Sequence, residues 1–116
     1  MDSQVSVEEL KRMFCAFRDD IGWAHCHTPE NLAKAISVEA AELLELFLWQ
    51  TEASLDSPDN LKACEHELAD IFMLCLSLAD IMKIDISQSV AEKMAIHAEK
   101  YRGSGRKTDC QKSEDD

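Results

Sequence analysis

Residues 29–51 read PENLAKAISVEAAELLELFLWQT and residues 58–83 read PDNLKACEHELADIFMLCLSLADIMK, and these two stretches decide the fold. Both are apolar on almost every side at helical spacing, neither contains Gly, and each has its only Pro at the first position. Thr28 precedes one Pro and Ser57 the other, so each stretch opens with a side-chain cap and a preset first turn. The spacing predicts one helix from Pro29 to about Thr51 and another from Pro58 to about Lys83. The polar link between them is short, so the pair is expected to fold back as an antiparallel hairpin.

Working outward, Ser6 and Glu9 form a capping box ahead of Val7, Leu10, Met13, Phe14, Phe17 and Ile21, which recur at helical spacing. GWAHCHTP (22–29) reads as a loop, and Asp85 can cap a last helix over Ile86 to Tyr101. The expected architecture is all-α, a four-helix, bundle-like domain over residues 6–102. Residues 1–5 are expected to be a flexible start and 103–116, beginning GSGRKTD, a disordered tail. A chain this small cannot cover two helices that are apolar all round, so a homo-oligomer, dimer or tetramer, is expected.

Composition narrows the function. The 116 residues suit one domain, and three Gly and two Pro leave little room for the turns of an all-β fold. A net charge of −11 argues against nucleic acid as a partner, because that binding needs a basic stripe. The same charge does not exclude a small polyanion, since bound divalent cations invert the local field. Five cysteines without CxxC spacing point to free thiols rather than zinc or a disulfide framework. Cys64 and Cys75 fall in apolar patterns. No apolar run is long enough to span a membrane, and the start lacks the features of a signal peptide, so a cytoplasmic location is expected.

Four acids sit where acids do not belong. With Glu39 as reference on its helix, Leu32, Ala35, Ile36, Leu43, Leu46 and Phe47 lie within about 80° of it, and Glu42 about 60° away. Around Glu67, Cys64, Ile71, Leu74, Leu78 and Ile81 share its face with Asp70. Glu45, Glu52, Glu65 and Asp80 point to the other sides. Glu42 and Glu67 are equidistant from a point between Ser54 and Leu55, and so are Glu39 and Asp70. In an antiparallel hairpin all four therefore meet at one level. Burying unpaired carboxylates costs several kcal/mol each, and no Lys or Arg lies on these faces to neutralise them. An all-oxygen set points to Mg²⁺, with Mn²⁺ as substitute, rather than to zinc. A di-iron bundle needs Glu-x-x-His pairs, and Ala63 and Met94 stand where those glutamates would precede His66 and His97.

Glu39-x-x-Glu42 followed by Glu67-x-x-Asp70 resembles the MazG-like all-α nucleotide pyrophosphohydrolases. The likeness is greatest to the dCTP pyrophosphatase branch, through WAHCHTPENL (23–32), VEAAELLELFLW (38–49), EHELADIF (65–72) and EKMAIHAEKY (92–101). The resemblance implies cleavage of a (deoxy)nucleoside triphosphate to monophosphate and pyrophosphate, with dCTP-like substrates favoured and a role in clearing the nucleotide pool. It implies that Glu39, Glu42, Glu67 and Asp70 bind the metal and that Glu39 or Glu42 is the general base.

The same resemblance gives substrate-binding roles to other residues. Trp23 and Trp49 correspond to positions lining the base pocket, with plain core packing as the alternative for each. Asn31 matches an Asn of the branch, with a helix-start hydrogen bond as its alternative, and His27 matches a histidine. Lys93, Lys100 and Tyr101 resemble the basic end of the last helix that reaches the phosphates. His97, counted with them, replaces an Asn, Arg102 replaces a Pro, and Phe14 replaces a His of some relatives; these departures bear on base choice. His25 and His66 read as solvated or capping groups. The rival to an enzyme is a non-catalytic nucleotide- or metal-binding helical regulatory dimer.

Overall fold

The computed structural model describes residues 1–48 and 57–102. Four helices occupy them: α1 (Val7–Asp20), α2 (Pro29–Glu45), α3 (Pro58–Ile81) and α4 (Ile86–Arg102). One short 3₁₀ turn, Ala24–Cys26, lies between α1 and α2. No strand occurs among the described residues, and the fold is all-α as expected. The expected tail, 103–116, lies outside them.

Each helix starts as its local chemistry dictates. The Ser6 hydroxyl accepts from the Glu9 backbone N–H and the Glu9 carboxylate accepts from Ser6 N–H, the full reciprocal box. Thr28 Oγ1 accepts from Asn31 N–H and Ser57 Oγ from Asn60 N–H, each ahead of a first-turn proline. Asp85 Oδ1 accepts from Gln88 N–H at the start of α4.

The ends depart from the expectation. α2 stops at Glu45, not near Thr51: Leu46, Phe47 and Leu48 donate to carbonyls three residues back, and the last turn tightens out of α geometry. Apolar periodicity carries no signal for such a tightening. α3 stops at Ile81, two residues short of Lys83. Lys83 takes φ 56°, and Lys83 N–H and Ile84 N–H close back on Asp80 and Ala79 carbonyls. This is the left-handed helix stop usually made with glycine. α1 ends the same way with Gly22 at φ 80°, and Trp23 N–H returns to the Arg18 carbonyl. That return fixes where Trp23 leaves the helix.

Residues 1–84 form one compact unit and the segment from Asp85 onward, which holds α4, another. In the first, α3 packs against both α1 and α2. Its core is Phe14 and Cys15 from α1, Leu32 from α2, and Leu76 and Ala79 from α3. Leu32 and Ser77 are the most completely buried side chains among the described residues. The residues expected to share Glu67's face (Cys64, Ile71, Leu74, Leu78 and Ile81) are all half-buried, whereas Leu61, Leu68 and Phe72 are exposed.

Candidate functional site

The middle of the α2–α3 pair brings three of the four acids together. One carboxylate oxygen each from Glu39, Glu67 and Asp70 lie within 4.8 Å of one another, and all three residues are half-buried. Glu39 Oε2 and Glu67 Oε2 are buried and have no hydrogen-bond partner. Glu42, one turn after Glu39 on α2, is exposed and lies outside this trio, yet it is near enough to raise the proton affinity of Glu39.

Crowding shows in the electrostatics. The neighbouring Glu42 side chain comes first, then burial, then the charges of Glu42 and Asp70, and together they push the Glu39 carboxyl up to about 7. Like charges this close raise proton affinity because both cannot ionise cheaply. No described Lys or Arg pairs with any of the four: Lys62 pairs with Glu65, Lys34 with Glu30, and Arg18 with Asp19 and Asp80. Buried oxygens without partners in an all-oxygen cluster fit a hard divalent cation, which would neutralise them and take their lone pairs.

A second cluster lies at the α1–loop–α2 corner. Trp23 is about half exposed (48%) and meets Phe17 edge-on with ring centroids 5.9 Å apart. Its ring lies 6.3 Å from that of His27, tilted by 30°. His27 Nδ1 is 2.7 Å from Ser77 Oγ on α3. Burial first, then the Arg18 charge, hold the His27 imidazole below its usual range. The Asn31 side chain donates to the Cys26 carbonyl at 3.1 Å, tying the loop to α2. His25 turns instead to the Cys26 thiol, 3.1 Å away.

The remaining residues picked out in sequence divide by location. Trp49 lies outside the described residues. Lys93, His97, Lys100 and Tyr101 are on α4, in the second unit. There His97 stacks on Tyr101 with centroids 5.9 Å apart, and Lys100 Nζ lies 5.3 Å from the Tyr101 ring centre.

Sequence reasoning missed Arg18, Ser77 and Asp80. Arg18 is buried, and its guanidinium reaches Asp19, Ser77 and Asp80. Asp80 does face away from the α2 side, and α1 is what packs there. The available signal was Ser77 within an apolar run: a hydroxyl in such a place needs partners from another helix.

Similarity to known proteins covers most of the chain. The MazG-like family model matches residues 34–115. The chain is 32% identical over 111 residues to dCTP pyrophosphatase 1 of Homo sapiens, across 88% of this chain and 65% of that protein. It is 32% identical over 103 residues to dCTP pyrophosphatase 1 of Bos taurus, across 85% of this chain and 61% of that one. It thus spans just under two thirds of these relatives. A crystal structure of a pyrophosphatase from Archaeoglobus fulgidus superposes with a TM-score of 0.74 at 38% identity, over 81% of this chain and 90% of that one.

Proposed function

The chain belongs to the MazG-like family, and on that premise we propose that it hydrolyses nucleoside triphosphates between the α and β phosphates, releasing a monophosphate and pyrophosphate. The observation that carries this reading is the convergence of Glu39, Glu67 and Asp70 with two buried, unpartnered oxygens. Glu42, one turn from Glu39 and acting on its carboxyl, completes the set as the fourth ligand. Magnesium, or manganese in its place, would supply charge neutralisation at the phosphates and a more acidic water. Either Glu39 or Glu42 takes the proton from the attacking water. Two helices hold these acids at one level, so the protein's own contribution is a charge-crowded cluster of carboxylates.

The Trp23 face stacks on the base, with Trp49 as its companion and His27 at the edge. Asn31 keeps the loop between them in place through its bond to the Cys26 carbonyl. Lys93, Lys100 and Tyr101, with His97 stacked on Tyr101, are assigned to the triphosphate. The curated relatives are named dCTP pyrophosphatases, which supports deoxycytidine-like triphosphates as the favoured class and nucleotide-pool clearance as the role. No described helix is long and apolar enough to cross a membrane. The described cysteines are free thiols, which suits a reducing cytoplasm.

Leu61, Leu68 and Phe72 lie exposed at positions that fall on one stripe of α3. Such a stripe is costly in water, and a second copy of the chain, as dimer or tetramer, is the proposed cover.

Pyrophosphate release from a panel of canonical and modified triphosphates, with Mg²⁺ and with EDTA, tests the activity. Release that requires the cation supports it. Absence of release from every triphosphate would leave a non-catalytic nucleotide- or metal-binding dimer.

A further inference from the structure

Burying Arg18 is an expensive way to stabilise a small core. Its guanidinium must be desolvated, and replacing such buried ion pairs with apolar groups is often neutral or stabilising. What the arrangement does accomplish is visible in its donors and acceptors. Arg18 Nε donates to Asp19 Oδ1 at 2.9 Å, Nη2 to Asp80 Oδ2 at 3.0 Å, and Nη1 to Ser77 Oγ at 3.0 Å. A guanidinium can only donate, so the Ser77 oxygen accepts from it. The Ser77 hydroxyl proton then points to its other neighbour, His27 Nδ1, 2.7 Å away. Ser77 is wholly buried, so no water competes for that proton. His27 Nδ1 is thereby an acceptor and the ring proton sits on Nε2, which has no hydrogen-bond partner among the described residues.

The place matters as much as the tautomer. Ser77 is seven residues after Asp70, two helical turns, so it lies on the same side of α3 about 10 Å further along. That is the reach from the phosphates of a nucleotide to its base. Trp23, half exposed beside the His27 ring, offers the stacking face there.

We propose that Arg18, Ser77 and Asp80 are positioning residues that hold His27 as the Nε2–H imidazole beside Trp23, so that it donates one hydrogen bond to a carbonyl or ring nitrogen on the edge of the stacked base. This rests on the triphosphate reading and names the chain's own device for reading the base. The charge acting on the ring is that of Arg18 from α1, whose guanidinium engages Asp19 of α1 and Asp80 of α3. The positive charge nearest His27 opposes a second ring proton, in line with the lowered proton affinity of this residue.

Two measurements test it together. Long-range ¹H–¹⁵N spectra of the histidine rings in the full chain report tautomer and titration directly. His27 is expected as Nε2–H, titrating below an ordinary histidine; Ser77→Ala should lose the fixed tautomer while the low titration, set by burial and the Arg18 charge, remains. In parallel, Ser77→Ala should raise KM for the preferred triphosphate about three- to tenfold, the worth of one neutral hydrogen bond, with a smaller fall in kcat. His27→Phe should do the same. His27→Gln, which keeps a donor at the end of its side chain, should recover most of the loss, a result that a merely structural role would not give. An Nδ1–H tautomer in the wild type overturns the proposal, as does an unchanged KM in Ser77→Ala or His27→Phe. If the wild type releases no pyrophosphate from any triphosphate, the catalytic reading itself fails, and the spectra still decide whether Ser77 sets the histidine.

Discussion

Glu39 on α2 and Asp70 on α3, equidistant from the point between Ser54 and Leu55, each bring a carboxylate oxygen to within 4.8 Å of the other's. Two acids approach this closely only if something offsets their repulsion, and in the protein alone Glu39 does so by holding its proton more tightly.

Neutralising one member should therefore spare the fold and remove the activity. Asp70→Asn and Glu42→Gln are each expected to lower kcat at least a thousandfold, a scale seen when essential groups are deleted. Helical circular dichroism should be unchanged, because these changes remove charge without removing volume. Retained turnover in either variant would contradict its place in the metal set.

Crowding also predicts how metal-free protein responds to pH. The Glu39 carboxyl has an ordinary value of 4.5 and is pushed up to about 7 in the folded chain. Between those values the folded state binds more protons than the unfolded one, so this group's contribution is fully present below about 4.5 and is lost as pH rises through about 7. Thermal melts in EDTA should show the wild type losing stability across that window relative to Glu39→Gln, which has no such proton. Parallel curves for the two proteins would remove the account of Glu39.

Stacking on Trp23 should appear in binding more than in turnover. A base on an aromatic face is worth about 1–3 kcal/mol, so Trp23→Ala should raise KM by about fivefold or more, with kcat less affected. An unchanged KM returns Trp23 to a packing role against Phe17.

The core end of the hairpin carries the stability. Leu32 is 1% exposed, and Leu32→Ala should cost about 2–5 kcal/mol, measured by denaturant titration. Leu68→Asp, on the exposed stripe of α3, should instead shift the assembly toward monomer in analytical ultracentrifugation. An unaltered mass would place the oligomer contact elsewhere.

How much of this was legible in the sequence differs from residue to residue. Caps were, because Ser6, Thr28, Ser57 and Asp85 act on neighbours three residues away and need no tertiary context. The convergence of Glu39 with Asp70 was legible too, since helical geometry and a mirror point fix it once the hairpin is granted. Glu42 was read as enclosed like the other three, yet it is exposed while Asp70, at the same angle from Glu67, is half-buried; helical angle alone does not separate the two. Helix ends were poorly foreseen at Leu46 and Lys83, where the backbone tightens or turns left-handed without Gly or Pro. The Arg18–Ser77–His27 link joins residues 59 and 50 positions apart, and no periodicity encodes which helices bring them together.

Crystals grown with magnesium chloride and a non-hydrolysable triphosphate analogue test the central claim most directly. The account predicts an ion bound at about 2.0–2.1 Å to oxygens of Glu39, Glu67 and Asp70, with phosphate oxygens completing its shell. Density showing these side chains turned toward solvent, with the analogue bound elsewhere and no cation between them, would contradict it.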